Sequence, residues 1–323
     1  MELKRVIERL DIADKKQRAT TPRVIRLAGD IDLAVLANDK PGKDLKQTGI
    51  IYPCSNTTLE GPPGGATLRH GTIELKGAEN VIIRNLRFRD HWEYDPTGQY
   101  DSLGWDYIRV SSAGKKGSDH VWIDHCDFGR VYDGQVDIVH GSDLVTISHC
   151  IFQGEGSERH RKCMLIGHSS SASAREADLG KLNVTIYQCW FKNLESRCPR
   201  LRTGNVHFFN SLVENVHNGT VSVSGGATLV ENCVYRDCGL VTAFSYASDS
   251  TEMSRGGSIH ITGSHDLRAI PDPGKSFHDQ PVEFRFNPPK AFDWPDLSRL
   301  PYEYQPVSAD QVEQQVRKDC GPR

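Results

Sequence analysis

"HVWIDHCDF" (120–128) and "LVTISHCIF" (144–152) are two copies of one nine-residue segment. In each, apolar residues alternate with polar ones, a polar residue stands where the chain turns (His125, His149), and the next residue turns inward. The segment recurs as "NVIIRNLRF" (80–88), "NVTIYQCWF" (183–191), "NVHFFNSLV" (205–213) and "ATLVENCVY" (227–235). Measured at the second residue of each copy, the spacings are 40, 24, 39, 22 and 22. Repeats of this period mean a stacked array, and ~22 residues of short strands suit one coil of a parallel β-helix. The two long spacings read as ordinary coils carrying loops of roughly 15 extra residues, a size that often serves function.

Stacking gives the cysteines a place. Cys126, Cys150, Cys189 and Cys233 fall on one coil position, with Leu86 and Ser211 filling it on other coils, so they are expected as reduced thiols packed inward. Nine cysteines cannot all pair internally, and disulfides among Cys54, Cys238 and Cys320 stay open. The first residues (1–22) are expected to form a short helix capping the open end of the coil, where strand edges need cover. From 265 to 323 the chain is proline-rich and irregular, with a short helix over "SADQVEQQVRK", and is expected to lie along the outside of the solenoid. The expected fold class is all-β, with residues 1–323 forming a single domain.

A chain of 323 residues with 37% hydrophobic content has material for a sizeable core. A net charge of -3 gives no support for bulk attraction to nucleic acid or membrane, and no run approaches the ~18 apolar residues of a membrane span. A monomer is expected. The opening "MELKRVIERLDIADKK" lacks the apolar stretch of a secretory leader, so the expectation is a leader already removed or a protein that stays inside.

The repeat register also locates charge. Asp137 lies 8 residues before the reference Val145 and Arg197 lies 9 before Val206, which puts them on nearly equivalent positions two coils apart. Lys162 belongs to the coil between, on "KCMLIG", and Asp106 opens "DYIRV" one coil earlier. At roughly 4.8 Å per coil these residues would climb one face over ~15 Å, with Asp133 swinging in from the adjoining turn. Clustered carboxylates need a cation, and an all-oxygen set without histidine or thiol favours Ca²⁺. Arginine's planar fork suits carboxylates, so the acid groups of a polyuronate are a natural partner for the facing cations.

The stretches "NTTLEG", "WD" (105–106) with "YIRV", "VWIDHCDF", "DGQVDIVHGSDLVTIS", "KCMLIGHS" and "RCPRLRTGNVHFFN" together resemble the pectate lyases of the first polysaccharide lyase family, from about residue 24 to 317. The resemblance implies a right-handed, single-stranded parallel β-helix and β-elimination of α-1,4-linked polygalacturonate. It implies Asp106, Asp133 and Asp137 as Ca²⁺ ligands, Arg197 as catalytic base, and Lys162 and Arg202 as binders of substrate carboxylates. A base role for arginine requires neighbouring cations to lower its pKa, here Lys162, Arg200, Arg202 and the metal. An extracellular workplace also follows from the family.

Other residues carry structural expectations. Asp124 sits on a different strand from Asp137 and is expected to be structural, as is His207. Arg200 is expected to face solvent or to play a secondary part. "SSSASAREAD" (169–178) reads as a flexible loop on the substrate side, and His160 and Arg161 as a rim. Cys163 and Cys198, next to Lys162 and Arg197, are expected to make the site sensitive to oxidation. A pectin lyase would not need the carboxylate cluster, a polygalacturonase would need an adjacent acid pair for hydrolysis, and a non-catalytic binding module would use the same charges for grip alone.

Overall fold

The computed structural model describes residues 21–33, 49–91, 105–154, 162–243, 257–267 and 302–323. Residues 1–20 of the expected capping segment (1–22), His160, Arg161 and residues 268–301 of the expected tail lie outside the described residues. Among the described residues, the strands form three parallel sheets of nine, nine and eight strands, and each sheet takes every third strand along the chain. That ordering is a parallel β-helix. The first sheet runs from Arg23–Arg26 to Ser258–Thr262, the second from Asp30–Asp32 to His265–Leu267, and the third from Ile50–Ile51 to Leu240–Ala243.

The first sheet follows the sequence repeat residue for residue. Val81, Val121, Val145, Val184, Val206 and Thr228 are successive register partners. After each strand the chain turns at Asn85, His125, His149, Gln188, Asn210 or Asn232, all left-handed with φ between 46° and 56°. Asn and His tolerate that region better than most side chains, which explains the polar residue at every turn. The residue after the turn points inward: Leu86, Cys126, Cys150, Cys189, Ser211 and Cys233 are fully buried. All nine cysteines are free thiols. In the second sheet Phe88, Phe128, Phe152 and Phe191 stack at 4.8, 4.9 and 4.9 Å between ring centroids, so one ring per coil fills the core.

The array extends beyond the six copies legible in sequence. Arg23–Arg26 and Thr57–Glu60 precede them and Ser258–Thr262 follows. The strand His265–Leu267 belongs to the solenoid, so the boundary drawn at 265 falls inside a coil.

Residues Ala172–Ala177, expected within a flexible loop, form a helix, α1, whose N-cap Ser171 Oγ accepts from Ala174 N at 3.3 Å. Alanine-rich sequence behind a serine cap outweighs the run of serines. A second helix, α2 (Ala309–Asp319), buries Ala309, Val312 and Val316 against Leu212 and Val234 on the outside of the second sheet. Its flanks follow the column of left-handed turns. Asn210 and Asn232 donate to Val307 O at 2.7 and 2.8 Å, Cys320 Sγ donates to Gln188 O at 2.9 Å, and Gly321 N donates to His149 O at 2.8 Å. Arg323 N donates to Asn85 Oδ1 at 3.3 Å. No helix among the described residues is long and apolar enough to cross a membrane.

Candidate active site

The third sheet carries the charges. Its strands Ile108–Ser111, Val136–Ile138, Met164–Ile166 and Arg200–Leu201 are consecutive neighbours. Ile108, Val136, Met164, Val110, Ile138 and Ile166 are fully buried, which turns the residues between them outward. The outward row runs Glu74, Arg109, Asp137, Leu165, Arg200 in register.

This register corrects the sequence-based alignment. Asp137 pairs with Leu165, and Leu165 with Arg200, so Arg200 rather than Arg197 shares the Asp137 position two coils on. Asp137 stands 8 residues before Val145 but Arg200 only 6 before Val206, because the intervening turns differ by two residues; with the one-residue tolerance of the count, Arg197 falls three residues short of the equivalent position. Arg197 sits ahead of its strand, where its carbonyl accepts from Met164 N at 2.8 Å. Its φ of 67° is unusual for a side chain of this size. Asp106 also stands two residues before the strand Ile108–Ser111 instead of opening it.

The site residues nevertheless meet on one flank. Asp106 is almost fully buried; its Oδ1 accepts from Gly134 N at 2.9 Å and its Oδ2 from Arg109 Nη2 at 2.8 Å. Gly134 stands between the two buried acids: a Cβ there would lie 2.8 Å from Asp137 Oδ1 and 3.0 Å from Asp106 Oδ1. Asp133, on the same turn, reaches Lys162 Nζ at 3.8 Å and Arg197 Nη1 at 3.7 Å. Arg202 follows the strand Arg200–Leu201, bonds from Nη1 to the carbonyls of Gly167 and His168 at 3.4 and 3.3 Å, and its charge is felt at Asp137. Lys162 bridges to Ser196, one residue before Arg197. Arg109 is the member the sequence reading missed. The alternation in "DYIRV" marks it as outward beside Asp137 once the true register is known.

Electrostatically, the pair Asp106 and Asp137 is under load. Burial pushes the Asp106 carboxyl well above its ordinary range, and the Asp137 charge adds to the push. Burial raises Asp137 to about 6, with Asp133 adding and Arg197 and Arg109 opposing. Asp137 Oδ1 is buried without a hydrogen-bond partner. Two crowded carboxylates and an unpartnered buried oxygen are a poor arrangement for a metal-free protein and a good one for a hard cation with oxygen ligands. Asp133 is turned toward Lys162 and Arg197, so the three carboxylates do not close on one point as they stand.

The remaining expectations divide. His207 is structural, its Nε2 2.9 Å from Glu231 and its Nδ1 2.7 Å from Tyr302 Oη. Cys163 and Cys198 are fully buried, and burial pushes the Cys163 thiol well up. The expected oxidation-sensitive thiols are therefore out of reach, because both turn into the coil while Lys162 and Arg197 turn out.

A sequence profile for pectate lyases matches residues 5–322. Pectate lyase B of Paenibacillus amylolyticus is 28% identical over 322 aligned residues, covering 72% of this chain and 80% of that protein. Among solved structures, a pectate lyase from Paenibacillus sp. 0602 superposes with a TM-score of 0.71 at 25% identity, covering 93% of this chain and 86% of that one. A pectate lyase from Bacillus sp. N165, solved in complex with trigalacturonate, shares the fold with a TM-score of 0.65 at 20% identity over 96% of this chain and 89% of its own.

Proposed function

Since this chain belongs to the pectate lyase family and is a polysaccharide lyase, we propose that it cleaves α-1,4-linked polygalacturonate by calcium-dependent β-elimination, leaving an unsaturated uronide at the new chain end. The observation that carries this reading is the buried pair Asp106 and Asp137 around Gly134, with an unpartnered Asp137 oxygen, on the same flank as Lys162 and Arg197. The trigalacturonate bound by the Bacillus sp. N165 enzyme supports the substrate class.

Asp106, Asp133 and Asp137 would hold Ca²⁺. The all-oxygen set fits that ion, which when bound acts as a Lewis acid on the uronate carboxylate and makes the C5 proton easier to remove. Lys162 and Arg202 bind substrate carboxylates and hold positive potential where negative charge develops. Arg197 takes the proton from C5. The C4–O bond then breaks, the electron pair leaves with the glycosidic oxygen, and a C4–C5 double bond remains. Asp133, 30% exposed at its side chain and facing both Lys162 and Arg197, is placed to exchange between those cations and the buried acids. The workplace fitting such a polymer is extracellular, and the working unit a monomer formed by one continuous solenoid.

The deciding experiment is absorbance of polygalacturonate digests in the ultraviolet. A rise that requires Ca²⁺ and stops on chelation is expected from unsaturated product. Binding of polygalacturonate with no such rise would overturn the catalytic reading in favour of a binding module.

A further inference from the structure

The corner between the first and second sheets holds a second convergence of chemistry. Of the six left-handed turn residues, Asn85, Gln188, Asn210 and Asn232 are amides, while the adjacent coils place His125 and His149 there. Only ahead of His125 does the preceding strand end in an aspartate. Asp124 is 7% exposed; its Oδ2 lies 2.7 Å from His125 Nδ1 and its Oδ1 3.3 Å from His149 Nδ1. The two imidazoles stack at 4.6 Å with planes 7° apart. Behind them Ser148 Oγ donates to Asp124 Oδ1 at 2.6 Å and itself accepts from Trp122 Nε1 at 2.8 Å. Burial opposes ionisation of Asp124, yet the hydrogen bonds from His125, His149 and Ser148 outweigh it and hold the carboxyl below its usual range.

We propose that Asp124, His125 and His149 bind a borderline transition-metal ion of the Zn²⁺ or Ni²⁺ class, at a site separate from the acid cluster of the third sheet. The donor set is two nitrogens and one oxygen, which suits those ions and not Ca²⁺, a cation that takes six or more oxygens. All three donor atoms lie within 4.8 Å of one another. Zinc–nitrogen and zinc–oxygen bonds of about 2.0–2.2 Å place tetrahedral ligand atoms roughly 3.4 Å apart. His149 Nδ1 lies 3.3 Å from Oδ1, which already meets that spacing, while His125 Nδ1 lies 2.7 Å from the other oxygen, Oδ2, and has to move so that one carboxylate oxygen and both nitrogens surround the ion. The rings must also turn out of parallel, and each Nδ1 must give up the proton it donates to Asp124, leaving a neutral ring protonated on Nε2, so that each Nδ1 lone pair aims at one point. The two side chains are 18% and 21% exposed, and His149 also packs edge-on against Tyr187 at 5.4 Å, so its turn has to carry that contact with it. The Ser148–Trp122 chain orients the carboxylate in the manner of the outer hydrogen bonds that position metal ligands. Since His125 and His149 belong to successive coils, a bound ion staples two rungs of the solenoid together, directly under the chain end where Gly321 N meets His149 O.

The test is calorimetric titration of Zn²⁺ into the untagged, Ca²⁺-loaded full chain at neutral pH. One ion per chain is expected, with an affinity at least about tenfold weaker in His149→Ala and in His125→Ala. Both variants are expected to keep the wild-type rate on polygalacturonate. Absence of binding heat in the wild-type chain, or equal affinity in wild type and both variants, would overturn the site. Should a variant fail to fold, Cu²⁺ bound to the wild-type chain decides by electron paramagnetic resonance: hyperfine coupling from two imidazole nitrogens supports the site, and coupling from one or none overturns it.

Discussion

Removing a charge from the proposed calcium cluster should make the metal-free enzyme more stable. Asp137→Asn keeps the shape of a side chain that is 7% exposed and whose Oδ1 has no hydrogen-bond partner. In the folded chain the Asp137 carboxyl titrates at about 6 against an ordinary 3.8. That difference of about two pH units, at about 1.4 kcal/mol each, is on the order of 3 kcal/mol. Because the folded pKa is raised, this stability is fully present below about pH 4, is lost as pH rises through about 6, and is wholly absent at pH 8. In EGTA at pH 8 the variant should therefore exceed wild type by up to that amount, a rise in melting temperature of roughly 5 °C for a chain of this size. At pH 4 the two should nearly coincide. Added Ca²⁺ should raise the melting temperature of wild type and leave the variant nearly unmoved. Thermal unfolding followed by circular dichroism reads all three outcomes. A variant that melts at or below wild type in EGTA at pH 8 would refute the claim that Asp137 is held ionised against its surroundings.

Gly134→Ala puts a methyl group 2.8 Å from Asp137 Oδ1 and 3.0 Å from Asp106 Oδ1, so Ca²⁺ affinity by calorimetry should fall at least about tenfold while the circular dichroism spectrum is kept. Unchanged affinity would mean that these two acids do not share the ion. Phe128→Ala empties the middle of a stack with neighbours at 4.8 and 4.9 Å and should cost about 3–5 kcal/mol in chemical denaturation. Native protein should react with a thiol reagent at Cys54 and Cys320 only, the two half-buried thiols, and the other seven of nine should appear on denaturation. Labelling of Cys163 or Cys198 in the native state would contradict their burial.

The repeat was legible because three constraints coincide in nine residues. An inward apolar alternation, a left-handed turn that admits few side chains, and a small or apolar residue after it leave a pattern at Val121–Phe128 that survives in every well-formed coil. The third sheet left no such trace. Its strands reach it across turns of differing length, so a count from the first sheet lands near Arg197 where the register brings Arg200 level with Asp137. Even so, Asp106, Asp133, Asp137, Lys162 and Arg197 lie along one flank of the third sheet, because a slip of three residues is short beside the ~22 residues of one coil; Arg202 enters through the family resemblance alone. Arg23–Arg26 and Ser258–Thr262 escaped notice since their turns lack the Asn, His or Gln punctuation. In 169–178 the serines suggested a loop, while Ser171 proves to be the cap on a helix.

An array of identical rungs is vulnerable to unzipping from either end, since each rung holds only its neighbours. Residues 307–323 counter this. From Val307 to Arg323 they touch turns at Asn232, Asn210, Gln188, His149 and Asn85, which are rungs far apart in the stack. They act as a lengthwise brace: a rung bonded to it cannot peel away without also breaking its bond to a segment that the other rungs hold in place. Residues 307–323 thus tie the rungs between Asn85 and Asn232 together, so that this span gives way jointly rather than one rung at a time.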